Sequence, residues 1–134
     1  MSVLGELQPN KVFKYFEEIC SIPHGSRNLQ QISDYLVDFA KAHELKYRQD
    51  EDLNVIIWKD GSKGYEASEP VILQGHMDMI AVKEADCDKD MEKEGLDLEI
   101  NGDYISAKGT SLGGDDGIAV AYTLAVLDLS LIHI

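Results

Sequence analysis

Apolar residues recur at helical spacing twice near the start of the chain and then give way to short β-rich runs. Val12, Phe13, Phe16, Ile19 and Cys20 form one helical stripe, which Asn10 can cap. Ile22-Pro23 should end it, because proline pushes the residue before it out of the helical region. A second stripe, Ile32, Tyr35, Leu36, Phe39 and Ala40, follows Asn28 and Gln31, whose three-residue offset is that of a capping box. Leu53 to Lys59 is rich in strand formers and closes at Asp60-Gly61. Glu69-Pro70 then opens the run Val71-Ile72-Leu73, which reads as a buried strand. Asp97 to Ile100 and Tyr104 to Ala107 flank Asn101-Gly102, a strong hairpin signal. Ile118 to Leu127 is apolar on all sides and predicts a buried helix. Helix and strand alternate, with no internal repeat, low-complexity tract or interdomain linker, so the chain reads as one α/β piece of a catalytic domain.

The candidate chemistry sits at two junctions. The Val71 run leads into Gln74-Gly75-His76-Met77-Asp78-Met79, and strand alternation turns His76 and Asp78 to the same face. An imidazole there can face a cation while the carboxylate supports it. The second junction is Gly113-Gly114-Asp115-Asp116-Gly117, where glycines let the backbone come close and two acids open a helix. Each has an ordinary reading when taken alone. A histidine at a strand end is commonly just a partly buried polar residue, and two acids at a helix start suit an N-cap and the helix dipole. Adjacent carboxylates repel, however, and a divalent cation or a cap relieves that repulsion. Together the junctions suggest half of a metallohydrolase site.

Several motifs carry a resemblance. Ile22-Pro23-His24-Gly25-Ser26, Ile32-Ser33-Asp34-Tyr35-Leu36, Asn54-Val55, Gly75-His76-Met77-Asp78-Met79 and Thr110-Ser111-Leu112-Gly113-Gly114-Asp115-Asp116-Gly117 stand in order between about Leu7 and Leu127. In this the chain resembles the N-terminal part of the aminoacyl-histidine dipeptidases, also called cytosol non-specific dipeptidases, of the di-zinc aminopeptidase and carboxypeptidase superfamily. The resemblance implies a mixed sheet flanked by helices and two zinc ions per complete site, with manganese or cobalt as alternatives. It implies that His76 ligates one zinc, that Asp115 bridges both, that Asp78 is the active-site acid orienting His76, and that a cis peptide precedes Asp116. The implied substrate is a short peptide of Xaa-His type, and the full-length relatives are commonly homodimers. Two ions sharing a bridging carboxylate suit peptide hydrolysis, because they can activate water and polarise the scissile carbonyl.

The end of the chain departs from that pattern. Relatives continue into a Glu-Glu pair, which holds the general base and a ligand, then a further aspartate and a distant histidine. Here the acid after Asp116 is Asp128 and the later histidine is His133, within Leu129-Ser130-Leu131-Ile132-His133-Ile134. Residues 1–128 therefore read as a partial metallopeptidase domain and 129–134 as an atypical tail, as from a truncation or frameshift. Two functions are expected: a metal-dependent dipeptidase, or an inactive N-terminal fragment that keeps a partial metal site. The chain alone is expected to lack turnover.

Composition narrows the setting. The formal charge of −13, from 12 basic and 25 acidic residues, argues against nucleic acid, since there is no basic patch to release counterions. No apolar run approaches the length of a membrane span, and the start lacks a basic segment followed by an apolar one. Cys20 and Cys87 are too few for a disulfide framework and have no metal-type spacing, so free thiols in a reducing cytoplasm are expected. Asp86, Asp88 and Asp90 alternate like a calcium loop, but Met91 and Asp97 occupy the positions that need Gly and Glu. The stretch from Lys83 to Glu94 reads as a solvated loop, and His24 and His43 as structural or exposed.

Overall fold

The first apolar stripe becomes α1, Asn10–Cys20, and the second becomes α2, Gln30–Ala42. In the computed structural model, which describes residues 2–129, four short strands and a third helix follow. These are β1 Lys46–Gln49, β2 Val55–Trp58, β3 Leu98–Asn101, β4 Tyr104–Ala107 and α3 Gly114–Asp128. Residues 130–134, which include His133, lie outside the described residues. The fold is α/β, with helices against small antiparallel sheets.

Helix α1 packs along α3, and α2 lies on the β1–β2 pair. One apolar core joins Val12, Phe16 and Ile19 of α1 to Ile32, Leu36 and Phe39 of α2 and to Val120, Ala121 and Leu124 of α3. Both stripes are buried along the lines that their spacing predicts, and Tyr15 joins them. The predicted caps do not form. Pro9 takes the N-cap of α1 and Leu29 that of α2, neither with a side-chain cap bond. The Asn10 amide instead donates to the Gly5 carbonyl at 2.7 Å, and the Asn28 amide to the Glu92 carbonyl at 3.0 Å. Both side chains are spent on tying down neighbouring loops.

Strand β1 pairs antiparallel with β2 in a register from Lys46↔Trp58 to Gln49↔Val55. The connecting turn is held by Asp50, whose Oδ1 accepts the N–H groups of Asp52 and Asn54. Strands β3 and β4 form the expected hairpin, but Asn101 pairs with Tyr104, so the two turn residues are Gly102 and Asp103. Gly102, at φ 60°, fills the first central position, where a two-residue turn of the Gly-first type needs positive φ.

Two expectations change. Val71, Ile72 and Leu73 do not form a buried strand: residues 71–78 pair with no strand among the described residues, and these three residues are 84%, 87% and 52% exposed. A continuous apolar run suits a strand covered on both faces, and no described element covers this one. Helix α3 buries Val120, Ala121, Leu124 and Ala125 while Tyr122 and Val126 face outward, so its apolar sequence is covered on one side only. Both cysteines are free, and burial pushes the Cys20 thiol up to about 12.

Candidate metal centre

The site is built on a ribbon, residues 74–79, held at its C-terminal end. Met79 is 3% exposed. It forms a parallel bridge with Gly25, its N–H donating to the His24 carbonyl and its own carbonyl accepting the Ser26 N–H, each at 3.0 Å. Gly113 closes over it from the other side: its φ is +71°, and a Cβ there would lie 2.9 Å from the Met79 sulfur. Only glycine tolerates both demands. Farther on, the Ser111 hydroxyl accepts the Val82 N–H at 3.1 Å and donates to the Ile80 carbonyl at 2.7 Å. The ribbon is thereby sewn to the segment that starts α3.

These anchors bring His76, Asp78 and Asp115 together. His76 Nδ1 is 3.1 Å from Asp78 Oδ1 and 3.0 Å from the Asp78 carbonyl, and Nε2 is 3.0 Å from Asp115 Oδ1. The same-face expectation for His76 and Asp78 thus holds without a paired strand. Asp78 Oδ2 accepts a 2.6 Å hydrogen bond from the Ser26 hydroxyl. The peptide between Asp115 and Asp116 is cis, and both residues have non-helical dihedrals, so regular helix begins after them. Asp116 Oδ2 turns back to accept the His76 N–H at 3.3 Å.

Electrostatics follow this pairing. The Asp115 carboxylate raises the His76 pKa above its ordinary value, with partial desolvation opposing and Asp78 adding to the rise. The Ser26 hydrogen bond lowers Asp78, again against a small desolvation effect and with help from His76. Side-chain exposures of 53% for His76 and 96% for Asp115 leave both groups open to a ligand from solvent.

The donor set fits a cation in part. Nitrogen and oxygen ligands of tetrahedral zinc, each about 2.0–2.1 Å from the ion, stand about 3.3 Å apart, close to the 3.0 Å between His76 Nε2 and Asp115 Oδ1. Asp78 is on the opposite ring nitrogen, where an outer carboxylate orients a ligating imidazole. Among the described residues no group of three or more His, Cys, Asp or Glu is placed to hold a metal ion.

No family model matches the chain. The cytosol non-specific dipeptidase of Escherichia coli (strain K12) is 39% identical over 134 residues, which cover 99% of this chain and 28% of that protein. The crystal structure of aminoacylhistidine dipeptidase from Vibrio alginolyticus superposes with a TM-score of 0.91 at 37% identity, over 94% of this chain and 26% of that one. The chain is homologous to these dipeptidases. It spans little more than a quarter of the length of either.

Within this dipeptidase-like piece, the other sequence candidates stand apart from the pair. His24 is buried, its Nδ1 on the Ile22 carbonyl, and desolvation lowers its pKa. His43 bonds to Asp128 at the far end of α3. Asp90 accepts the Glu92 N–H and pairs with Lys93 at 3.1 Å within an open loop. Sequence pattern does not distinguish Ser26 and Ser111, which fix the geometry. Their places inside two motifs were the available signal, but a hydroxyl's partner is not written in its neighbours.

Proposed function

We propose that His76 and Asp115 are two ligands of a zinc centre serving dipeptide hydrolysis, that Asp78 orients His76, and that the 134-residue chain carries this centre only in part. The observation behind the reading is the imidazole standing between two carboxylates, one on each ring nitrogen. Homology to two dipeptidases supplies the substrate class. A bound divalent ion would supply Lewis acidity to polarise a peptide carbonyl and acidify water. The chain's own residues do the rest: Asp78 accepts a hydrogen bond from Nδ1–H and keeps Nε2 turned to Asp115, while Met79 and Gly113 fix the ribbon beneath. A cytoplasmic setting belongs to the same proposal and rests on the cytosolic relative.

The partial-site reading is favoured over a complete catalyst because no described glutamate is bonded to His76, Asp78 or Asp115. A positioned base contributes about 10²–10⁴-fold. In calorimetry the purified chain should bind fewer than two zinc ions, weakly. His76→Ala and Asp115→Ala should abolish that binding, and Asp78→Asn should weaken it about tenfold. Incubation with Gly-His and excess zinc or manganese should release no histidine. Two tight ions lost together in Asp115→Ala would overturn the partial site. Binding unchanged in both His76→Ala and Asp115→Ala would overturn the ligand assignment.

A further inference from the structure

We propose that Ser26 is a positioning residue for this site, holding the Asp78 carboxylate so that its other oxygen receives the His76 Nδ1–H; the proposal rests on the reading of His76 and Asp78 given above. The Ser26 hydroxyl hydrogen-bonds to neither the imidazole nor Asp115. Its hydroxyl donates to Asp78 Oδ2 at 2.6 Å, within the short range of a charge-assisted O–H···O⁻ bond. With Oδ2 held, Oδ1 is directed at Nδ1, 3.1 Å away.

The hydroxyl is itself placed by backbone. The Ser26 N–H donates to the Met79 carbonyl at 3.0 Å, and the preceding Gly25 bridges Met79. Met79 directly follows Asp78, so the donor and its acceptor are fixed to the same short ladder. Rotation of the hydroxyl toward the Met79 carbonyl, 3.4 Å away, offers a poorer bond. Asp78 is only partly covered by its surroundings, and its side chain is 36% exposed. No other described side chain besides His76 donates to it, so without Ser26 its carboxylate could swing into water. Nδ1–H would then keep the Asp78 main-chain carbonyl alone.

The metal-free chain gives a direct readout through the Nδ1-bound proton of His76, followed in ¹⁵N-labelled protein at one pH and low temperature. In the wild type this proton should be resolved and slow to exchange. In Ser26→Ala it should exchange about tenfold faster, the scale set by losing one hydrogen bond to a charged group, with unaltered circular dichroism. Ser26→Thr, which keeps the hydroxyl, should restore it. An unchanged proton in folded Ser26→Ala, or failure of Ser26→Thr to restore it, would overturn the proposal. Should Ser26→Ala not fold, Ser26→Cys decides: a weakened signal supports the role and an unchanged one overturns it. Asp78→Ala separates the two levels. A proton still slow in that variant would sink the underlying Asp78 reading, whereas loss in Asp78→Ala but not in Ser26→Ala would sink only the role of Ser26.

Discussion

A methyl group at residue 113 would meet two obstacles at once, a φ of +71° and the Met79 sulfur at 2.9 Å. At residue 102 the φ is +60° but nothing lies within 4 Å of the added carbon. Gly102→Ala should therefore cost left-handed strain alone, about 1–2 kcal/mol. Gly113→Ala should cost that plus the displacement of a buried side chain, about 2–5 kcal/mol in all. Urea midpoints at unchanged m-value check the difference, and equal losses would mean that Met79 gives way freely. At this scale the sequence was legible where chemistry is local. His76, Asp78 and the Gly-Gly-Asp-Asp junction could be picked out by spacing, whereas the Ser26 bond spans 52 positions and left no local trace. The caps were misread by a small shift: the helices start one residue from where the pattern put them, with Pro9 and Leu29 at the N-caps, and the Asn10 and Asn28 amides tie down Gly5 and Glu92 instead.

Among the elements, α3 is fastened at its end. Asp128 Oδ2 accepts the Tyr15 hydroxyl at 2.9 Å and the Lys11 ammonium at 2.8 Å, and Oδ1 lies 3.2 Å from His43 Nε2. One carboxylate thus joins all three helices. Lys59 adds hydrogen bonds to the Leu127 and Leu129 carbonyls, where a cation complements the helix dipole. Burial alone would raise the Asp128 pKa, but the hydrogen bonds from Lys11 and Tyr15, with the charges of Lys11 and His43, bring it below the ordinary value. Burial and the bond to Asp128 push the Tyr15 phenol up, so it stays a donor. A carboxyl lowered by folding stabilises in full above its unfolded pKa of about 3.9 and loses that contribution as pH falls through its folded value. Asp128→Asn should cost about 1–3 kcal/mol at neutral pH, and its gap from wild type should close below pH about 4. A gap in the urea midpoint that is the same at both pH values would sink the electrostatic account. The helices themselves were legible from their stripes, because 3.6-residue periodicity records burial directly. The hairpin was legible to within one residue, and only the Asn101↔Tyr104 pairing decided which residues turn.

Across the whole molecule, two surface properties oppose each other. A formal charge of −13 keeps copies apart, while Val71, Ile72, Ile80 and Val82, 84%, 87%, 77% and 57% exposed, favour association. Raising salt from about 0.01 M to 1 M shortens the screening length from about 30 Å to about 3 Å, so sedimentation should shift toward larger species. Ile72→Lys should reduce that shift without lowering the melting temperature, because the side chain gives up almost no buried area. Salt-independent sedimentation would contradict this view, as would a destabilised Ile72→Lys. The α/β class was legible from alternation alone. The exposure of the Val71 run was not, since an uninterrupted apolar segment states what would suit it and not what surrounds it.

The stitching of the ribbon to distant segments also bears on the order in which the molecule comes together. Helical hydrogen bonds close over four residues, but the His76–Asp115 and Ser26–Asp78 contacts close over 39 and 52. Loop-closure entropy is lost before such distant contacts return anything. The groups that define the site consequently meet only through the global topology, as do Tyr15 and Asp128 at a separation of 113, and refolding speed should be governed by such encounters rather than by the winding of α1 or α2.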